Sequence, residues 1–204
     1  MFPLPRVYAI VDSTRLVQRL SLIEFVEDLL AGGITLLQYR NKSGHTRQVL
    51  DEALALRQSV GTRAKLIMND RADLCLAAGF DGVHLGQDDL SPEAARAVIG
   101  DRLCLGVSTH NPEQVRAADF TSSDYIVIGP VFSTASKLNP DPVIGLEGVR
   151  LARSLTRKPL VAIGGITRQN CRSVIDAGAD SVAVISDLLL DPRKSAEAFL
   201  RILR

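Results

Sequence analysis

Apolar residues recur along the chain in two alternating spacings. Short runs rich in β-branched residues predict buried strands, and longer segments in which apolar residues return every three or four positions predict helices. The predicted strands cover residues 7–11, 36–39, 65–68, 82–85, 103–107, 125–128, 160–163 and 181–184. The predicted helices cover residues 20–31, 46–60, 72–78, 112–118, 146–155, 170–177 and 193–203, with one more that begins at Ser91-Pro92.

This strict alternation of strands and helices predicts a parallel α/β sheet. Each of the eight units has about 25 residues, close to the minimum for a strand, a helix and two short connections. Eight such units close naturally into a (β/α)8 TIM barrel, and we expect residues 1–204 to form this single domain. A doubly wound sheet is the weaker alternative, because no G-x-G-x-x-G follows the first strand.

The second strand leads into Gln38-Tyr39-Arg40-Asn41-Lys42. Extended backbone sends alternate side chains to one face, so we expect Gln38, Arg40 and Lys42 to lie together. An amide beside two cations suits a diphosphate, because arginine offers a planar fork of donors and lysine a compact charge. The alternative is a strand that ends in a solvated basic loop.

Two carboxylates follow neighbouring strands. Asp70 comes directly after the third strand and Asp89 shortly after the fourth. In a barrel these strand ends are adjacent, and Mg²⁺ is commonly held by one or two carboxylates together with phosphate oxygens and waters. We therefore predict that Asp70 and Asp89 bind Mg²⁺. The alternative is that Asp70 caps the next helix and Asp88-Asp89 form a solvated turn.

Hydroxyl groups and glycines mark the later strand ends. Ser108 is expected at the end of strand five, and the loop after strand six carries hydroxyls and Lys137. Gly164-Gly165 and Ile185-Ser186 end strands seven and eight, where barrels often bind phosphate through backbone N–H groups.

The three histidines suggest no catalytic set. We expect His84 to be packed and hydrogen-bonded, His110 to lie near a substrate and His45 to be exposed. No Ser-His-Asp or Cys-His arrangement follows from these positions, so the sequence gives no support for covalent catalysis.

Composition narrows the classes of partner. The 204 residues are 46% hydrophobic, and 24 basic and 23 acidic residues are interspersed to a net charge of +1, which argues against a nucleic-acid surface. No stretch approaches the roughly 20 apolar residues of a membrane span, so we expect a cytoplasmic protein. The three cysteines are widely separated among apolar neighbours and are expected in the core. Small-molecule substrates are the expected partners, and a homo-oligomer stays an open alternative.

Several motifs together carry a resemblance to a known family. They are Gln38-Tyr39-Arg40-Asn41-Lys42, Asn69-Asp70, residues 82–89, Gly106-Val107-Ser108, residues 129–132 with Thr134 and Lys137, and residues 162–166. With these motifs in order, the chain resembles the thiamine-phosphate synthase (thiamine-phosphate pyrophosphorylase) family over essentially its whole length. The resemblance implies a (β/α)8 transferase of thiamine biosynthesis. Such an enzyme condenses 4-amino-2-methyl-5-(diphosphooxymethyl)pyrimidine with thiazole phosphate, giving thiamine phosphate and pyrophosphate.

The resemblance also implies roles for individual residues. Asp70 and Asp89 would hold Mg²⁺. The pyrimidine diphosphate would contact Gln38, Arg40, Lys42, Asn69, Ser108 and Lys137, and Tyr39 and Asn41 would be further substrate-binding residues. The thiazole phosphate would contact Thr134, Ser136, Gly165, Ile185 and Ser186. The catalytic groups would be Arg40, Lys42, Ser108 and Lys137. Ser136 stands where the family usually has threonine, and it keeps the hydroxyl.

Two rival functions remain open. A thiazole tautomerase of the same fold would isomerise the thiazole phosphate with His110 as proton carrier, but such relatives lack the complete set of basic and acidic residues. A non-catalytic sensor of phosphorylated ligands would have the same site without turnover. The joint presence of Arg40, Lys42, Asp70, Asp89 and Lys137 favours the synthase.

Overall fold

The computed structural model describes residues 4–16, 21–134 and 141–204. Within these ranges the strands are β1 (Val7–Asp12), β2 (Leu36–Arg40), β3 (Lys65–Asn69), β4 (Gly82–Leu85), β5 (Cys104–Thr109), β6 (Tyr125–Ile128), β7 (Leu160–Ile163) and β8 (Ser181–Val184). The α-helices are α1 (Leu22–Ala31), α2 (Thr46–Val60), α3 (Ala72–Ala77), α4 (Pro92–Ile99), α5 (Pro112–Asp119), α6 (Gly145–Leu155), α7 (Cys171–Asp176) and α8 (Pro192–Ile202). Two short 3-10 turns, Ser13–Arg15 and Ser186–Leu188, follow β1 and β8.

The strands form a closed parallel barrel in sequence order. β1 pairs with β8 through Val7↔Val182, Tyr8↔Ala183 and Ala9↔Val184, which closes the sheet. The predicted (β/α)8 barrel is therefore confirmed. Among the described helices, none has the length and apolar content needed to cross a bilayer.

Element ends differ from the prediction at two informative places. β5 reaches Thr109, so Ser108 lies within this strand and not at its end as predicted. α1 begins at Leu22, two residues later than predicted, while residue 20 itself lies outside the described ranges. The reason is a capping box: the Ser21 hydroxyl accepts the Glu24 N–H, and the Glu24 carboxylate accepts the Ser21 N–H.

Alternation along each strand separates two apolar cores. In β1, Tyr8 and Ile10 belong to the cluster inside the barrel, whereas Val7, Ala9 and Val11 pack in the layer between strands and helices. All three cysteines are buried, as predicted. The inner cluster closes the barrel below its upper rim, so the side chains above it line the floor of a cavity.

At the opposite end of the barrel, the residues that the structure describes form one kind of interaction three times. An aspartate just before an even-numbered strand accepts the N–H of a residue on the preceding strand, at 2.7 to 3.0 Å. The same aspartate pairs with an arginine from the helix that leads into that preceding strand. The three sets are Leu66–Asp81–Arg57, Leu105–Asp124–Arg96 and Leu160–Asp180–Arg153. We call them the basal clamps. They stabilise the N-terminal end of the barrel, whereas active sites of this fold lie at the C-terminal end.

Candidate functional site

A cavity of about 510 Å³ lies at the C-terminal ends of the strands. It is lined by these predicted site residues: Gln38, Arg40, Lys42, Asn69, Asp70, Asp89, Ser108, Thr134, Gly165, Ile185 and Ser186. Ser136 and Lys137, also predicted, lie outside the described residues. The structure therefore brings most of the predicted residues to one place, and their binding roles remain predictions.

Tyr39 and Asn41 are corrections to the predicted set, because their side chains point away from the cavity. The Tyr39 hydroxyl donates to the Glu52 carboxylate of α2, and Asn41 Nδ2 donates to the same carboxylate at 3.1 Å. Asn41 Oδ1 also accepts the Gly44 N–H at 2.8 Å, which orders the loop after β2. The alternation that turns Arg40 inward necessarily turns its two neighbours outward.

Arg40 is held by a buried carboxylate that the sequence analysis did not assign. Asp12 lies opposite Arg40 in the β1–β2 register, and the two side chains form an ion pair. The Asp12 side chain is 2% exposed and also accepts the Thr14 N–H and hydroxyl, at 3.1 and 2.6 Å. This contact fixes the guanidinium group against the cavity wall.

The two carboxylates meet as predicted. Lys42 Nζ lies 3.1 Å from Asp70 Oδ2, and Asp89 Oδ2 accepts the Gly86 N–H at 2.7 Å. Burial raises the pKa of Asp70, and its hydrogen bond with Asp89 raises it further, while Lys42 acts in the opposite direction. The alternative role for Asp70 as a helix cap is wrong, because Arg71 occupies the N-cap position of α3.

This pair of carboxylates suits Mg²⁺ better than it suits a metal ion whose ligands are all protein side chains. In the described ranges, no group of three or more His, Cys, Asp or Glu side chains could hold a metal. The donors available are carboxylate oxygens, one of which carries a raised pKa that a nearby cation would lower. Mg²⁺ keeps several waters and takes one or two carboxylates together with substrate phosphate oxygens.

The other side of the cavity is a cup formed by loops after β6, β7 and β8. Gly165 has φ +63°, and a Cβ there would lie 2.5 Å from the Ser133 carbonyl oxygen, so the position requires glycine. Asp187 accepts the Arg168 N–H at 2.8 Å and pairs with the Arg168 guanidinium at 3.0 Å. This pair, which no motif in the sequence indicates, ties the loop after β7 to the turn that carries Ser186. We call this region the phosphate cup.

Buried polar side chains form the floor of the cavity. Gln38 Nε2 donates to the Tyr8 hydroxyl at 2.8 Å, and Tyr8 and Tyr125 share a hydrogen bond of 3.0 Å. His84 joins Tyr125 to Ser108 through its two ring nitrogens, at 3.2 and 2.8 Å. Burial lowers the pKa of His84 to about 4. The prediction of a packed, hydrogen-bonded histidine is confirmed, and the tyrosines are additions to the site.

His110 also lines the cavity, where it was expected. Its Nδ1 lies 2.6 Å from the Gly129 carbonyl oxygen and 3.5 Å from the Asp141 carboxylate. Since a carbonyl oxygen accepts, Nδ1 carries a proton and the ring is fixed at the wall. His45, in contrast, is exposed at the start of α2, as predicted.

Comparisons with known proteins identify the family of the chain. The family model described as thiamine monophosphate synthase matches residues 7–188. A thiamine-phosphate synthase from Koribacter versatilis is 60% identical over 203 residues, which is 98% of this chain and 96% of that protein. Another from Gloeobacter violaceus is 47% identical over 182 residues, 88% of this chain and 53% of that longer protein. The solved structure of thiamine phosphate pyrophosphorylase from Pyrococcus furiosus has a TM-score of 0.86 and 36% identity, covering 97% of this chain and 95% of that one.

Proposed function

The chain belongs to the thiamine monophosphate synthase family, and from this membership we propose how its cavity works. It is a transferase of thiamine biosynthesis that joins 4-amino-2-methyl-5-(diphosphooxymethyl)pyrimidine to thiazole phosphate, giving thiamine phosphate and pyrophosphate. The observation that carries the residue roles is the meeting of two cations and two carboxylates on one wall of a cavity whose other wall is the phosphate cup.

The two substrates occupy opposite sides of this cavity. The diphosphate lies against Arg40 and Lys42, and the pyrimidine lies over the floor near Gln38, Asn69 and Ser108. The thiazole phosphate lies in the phosphate cup, where its contacts are Thr134, Gly165, Ile185 and Ser186, with Ser136 from the part of the loop outside the described residues. This division follows charge, because a diphosphate carries more negative charge than a phosphate monoester and faces the wall with both cations.

The reaction needs charge stabilisation more than proton transfer. The bond between the methylene carbon and the diphosphate oxygen breaks, and its electron pair leaves with pyrophosphate. The lone pair of the thiazole nitrogen then forms the new C–N bond to the methylene carbon. Arg40 and Lys42 stabilise the charge that develops on the leaving group, and Lys137 is the further cation proposed for this role. No protein base is required, which agrees with the lack of a catalytic dyad in the sequence analysis.

Asp70 and Asp89 are the residues that would hold Mg²⁺. When bound there, the ion would supply positive charge to the leaving pyrophosphate. Lys42, which pairs with Asp70 at 3.1 Å, keeps a cation beside these carboxylates and limits their repulsion.

The test is a direct assay with the purified protein. Incubation with both phosphorylated precursors and Mg²⁺ should release pyrophosphate and thiamine phosphate in equal amounts, and a chelator should stop both. Conversion of the thiazole phosphate to an isomer without pyrophosphate release would point to a tautomerase with His110 as proton carrier. Binding of both precursors without any product would point to a sensor.

A further inference from the structure

Five side chains form a continuous hydrogen-bonded row across the barrel, from Gln38 on β2 to Ser108 on β5. Tyr8 is 0% exposed, Tyr125 2% and His84 6%, so the middle of the row is shielded from water. We call this row, Gln38–Tyr8–Tyr125–His84–Ser108, the floor relay. The row joins two residues proposed to contact substrate through three that have no proposed contact with it.

A glycine makes the row possible. Gly106 lies between His84 and Tyr125 in the register of β4, β5 and β6. A Cβ at Gly106 would lie 2.0 Å from Tyr125 Cζ, so only glycine lets the tyrosine ring cross β5. As a result the Tyr125 and His84 rings stack with centroids 5.7 Å apart, and the Tyr125 hydroxyl reaches His84 Nδ1.

The hydrogen bonds of the floor relay all run in one direction, from donor to acceptor, starting at Gln38. An amide nitrogen can only donate, so the Tyr8 oxygen accepts from Gln38 Nε2. The Tyr8 proton must then go to Tyr125, because among the described residues no other acceptor is bonded to this buried hydroxyl.

The same argument continues to the end of the row. With its oxygen accepting from Tyr8, the Tyr125 hydroxyl donates to His84 Nδ1. The neutral imidazole then carries its proton on Nε2 and donates to Ser108 Oγ at 2.8 Å. Ser108 accepts this bond, and its own proton is left for the cavity.

We propose that Tyr8, Tyr125 and His84 are positioning residues for Ser108. Because Gln38 donates to Tyr8, each member of the row donates to the next, and the Ser108 proton is left to donate to the substrate. This inference rests on the proposed function, in which Ser108 faces the pyrimidine diphosphate. A diphosphate oxygen can only accept, so a serine proton turned toward His84 would be lost to the substrate. The opposite direction would place the proton on His84 Nδ1 and point the serine hydroxyl away from the anion.

The tautomer of His84 reports the direction without any substrate. We would record ¹⁵N chemical shifts of the histidine rings near neutral pH and assign His84 by its loss in His84→Gln. The unmodified protein should show the Nε2–H tautomer. Gln38→Glu replaces the terminal donor by an acceptor, so it should reverse every bond and convert His84 to the Nδ1–H tautomer.

Matched variants separate this relay from a local disturbance. Tyr125→Phe cuts the row, so Gln38→Glu combined with Tyr125→Phe should leave the tautomer the same as in Tyr125→Phe alone. If Gln38→Glu does not fold, Tyr8→Phe removes a single hydroxyl and should convert the single tautomer into a mixture. An Nδ1–H tautomer in the unmodified protein, or a tautomer that none of these variants changes, would overturn the proposal.

Kinetics give a second readout. Tyr125→Phe should lower kcat/KM for the pyrimidine diphosphate about tenfold, as expected for a misdirected hydrogen bond to a charged group. In a Ser108→Ala background the same change should have no further effect, because there is no hydroxyl to direct. An equal loss in both backgrounds would show a merely structural role. Product formation with an unresponsive tautomer would refute the relay alone, whereas a responsive tautomer without product would refute the function alone.

Discussion

Arg40→Met removes a cation from the cavity and leaves the buried Asp12 carboxylate without its ion-pair partner. Breaking a buried pair by removing one member typically costs about 3–5 kcal/mol. The Arg40 side chain is 24% exposed, and Thr14 still donates twice to Asp12, so we expect a loss at or somewhat below the lower limit of this range. The unfolding free energy should fall by about 2–3 kcal/mol. For a chain of this size, that corresponds to a Tm lower by about 5–10 °C.

Asp12→Asn in the same chain should restore part of this stability. Asparagine keeps a carbonyl oxygen for the Thr14 contacts but removes the unpaired charge, so the double variant should recover about 1–2 kcal/mol relative to Arg40→Met. Turnover should not recover, because the cation at the leaving group is still absent. We expect both variants to lose about two to three orders of magnitude in kcat.

Thermal unfolding without ligands and steady-state turnover measure the two effects separately. Asp12→Asn alone is the control, since it keeps the guanidinium group but releases it from its position. A double variant no more stable than Arg40→Met would mean that Asp12 is not a buried, unpaired charge in the single variant. Recovery of turnover in the double variant would mean that Arg40 acts through the fold and not on the substrate.

Two further predictions concern opposite ends of the barrel. Asp124→Asn should lower the unfolding free energy by roughly 1–3 kcal/mol, because it weakens the basal clamp to Leu105 N, and should leave KM for both substrates unchanged in steady-state assays. Gly165→Ala should raise KM for the thiazole phosphate at least about tenfold, because its Cβ would meet the Ser133 carbonyl oxygen in the phosphate cup and its φ of +63° is strained for alanine. Gly79→Ala is the matched control, since Gly79 has φ +65° but open space around it, and equal KM changes in the two alanine variants would contradict the assigned role of the cup.

Periodicity was enough to predict the barrel, because parallel strands buried on both faces and amphipathic helices leave strong signals in one dimension. The same topology predicted that Asp70 and Asp89 would meet, since neighbouring strand ends share a rim. The Asp12–Arg40 pair was missed because it depends on the register between two strands, which one sequence does not specify. Alternation along the strand alone places the side chains of Tyr39 and Asn41 opposite that of Arg40, so their position outside the cavity was predictable.

The basal clamps and the floor relay escaped prediction for related reasons. The arginine and aspartate of the three clamps are 24, 28 and 27 residues apart, so no fixed period identifies them as a repeat. In the relay, Tyr125 reaches His84 only because Gly106 stands between them in space. A glycine within a strand is a signal for close approach, but it does not say which side chain approaches.

Asp70 combines a strained backbone with an unfavourable charge, which predicts an unusual response to substitution. Its φ is +64°, a left-handed conformation that aspartate and asparagine tolerate better than alanine. Burial raises its pKa, so the folded protein holds the proton more tightly than the unfolded chain. The resulting stability is present at pH values below the unfolded pKa and is lost as the pH rises through the raised folded value. Near neutral pH, without Mg²⁺, the ionised Asp70 therefore weakens the fold.

Asp70→Asn should consequently be as stable as the unmodified protein, or more stable, near neutral pH in the presence of a chelator. The lost pair with Lys42 changes this little, because the lysine side chain is 54% exposed. Asp70→Ala should be about 1–2 kcal/mol less stable than Asp70→Asn, because alanine disfavours the left-handed backbone. Adding Mg²⁺ with pyrophosphate should raise the Tm of the unmodified protein but not that of either variant, and both should lose turnover by orders of magnitude. If Mg²⁺ and pyrophosphate raise the Tm of Asp70→Asn as much as that of the unmodified protein, Asp70 is not a metal ligand, and its raised pKa reflects only burial and the neighbouring Asp89 carboxylate.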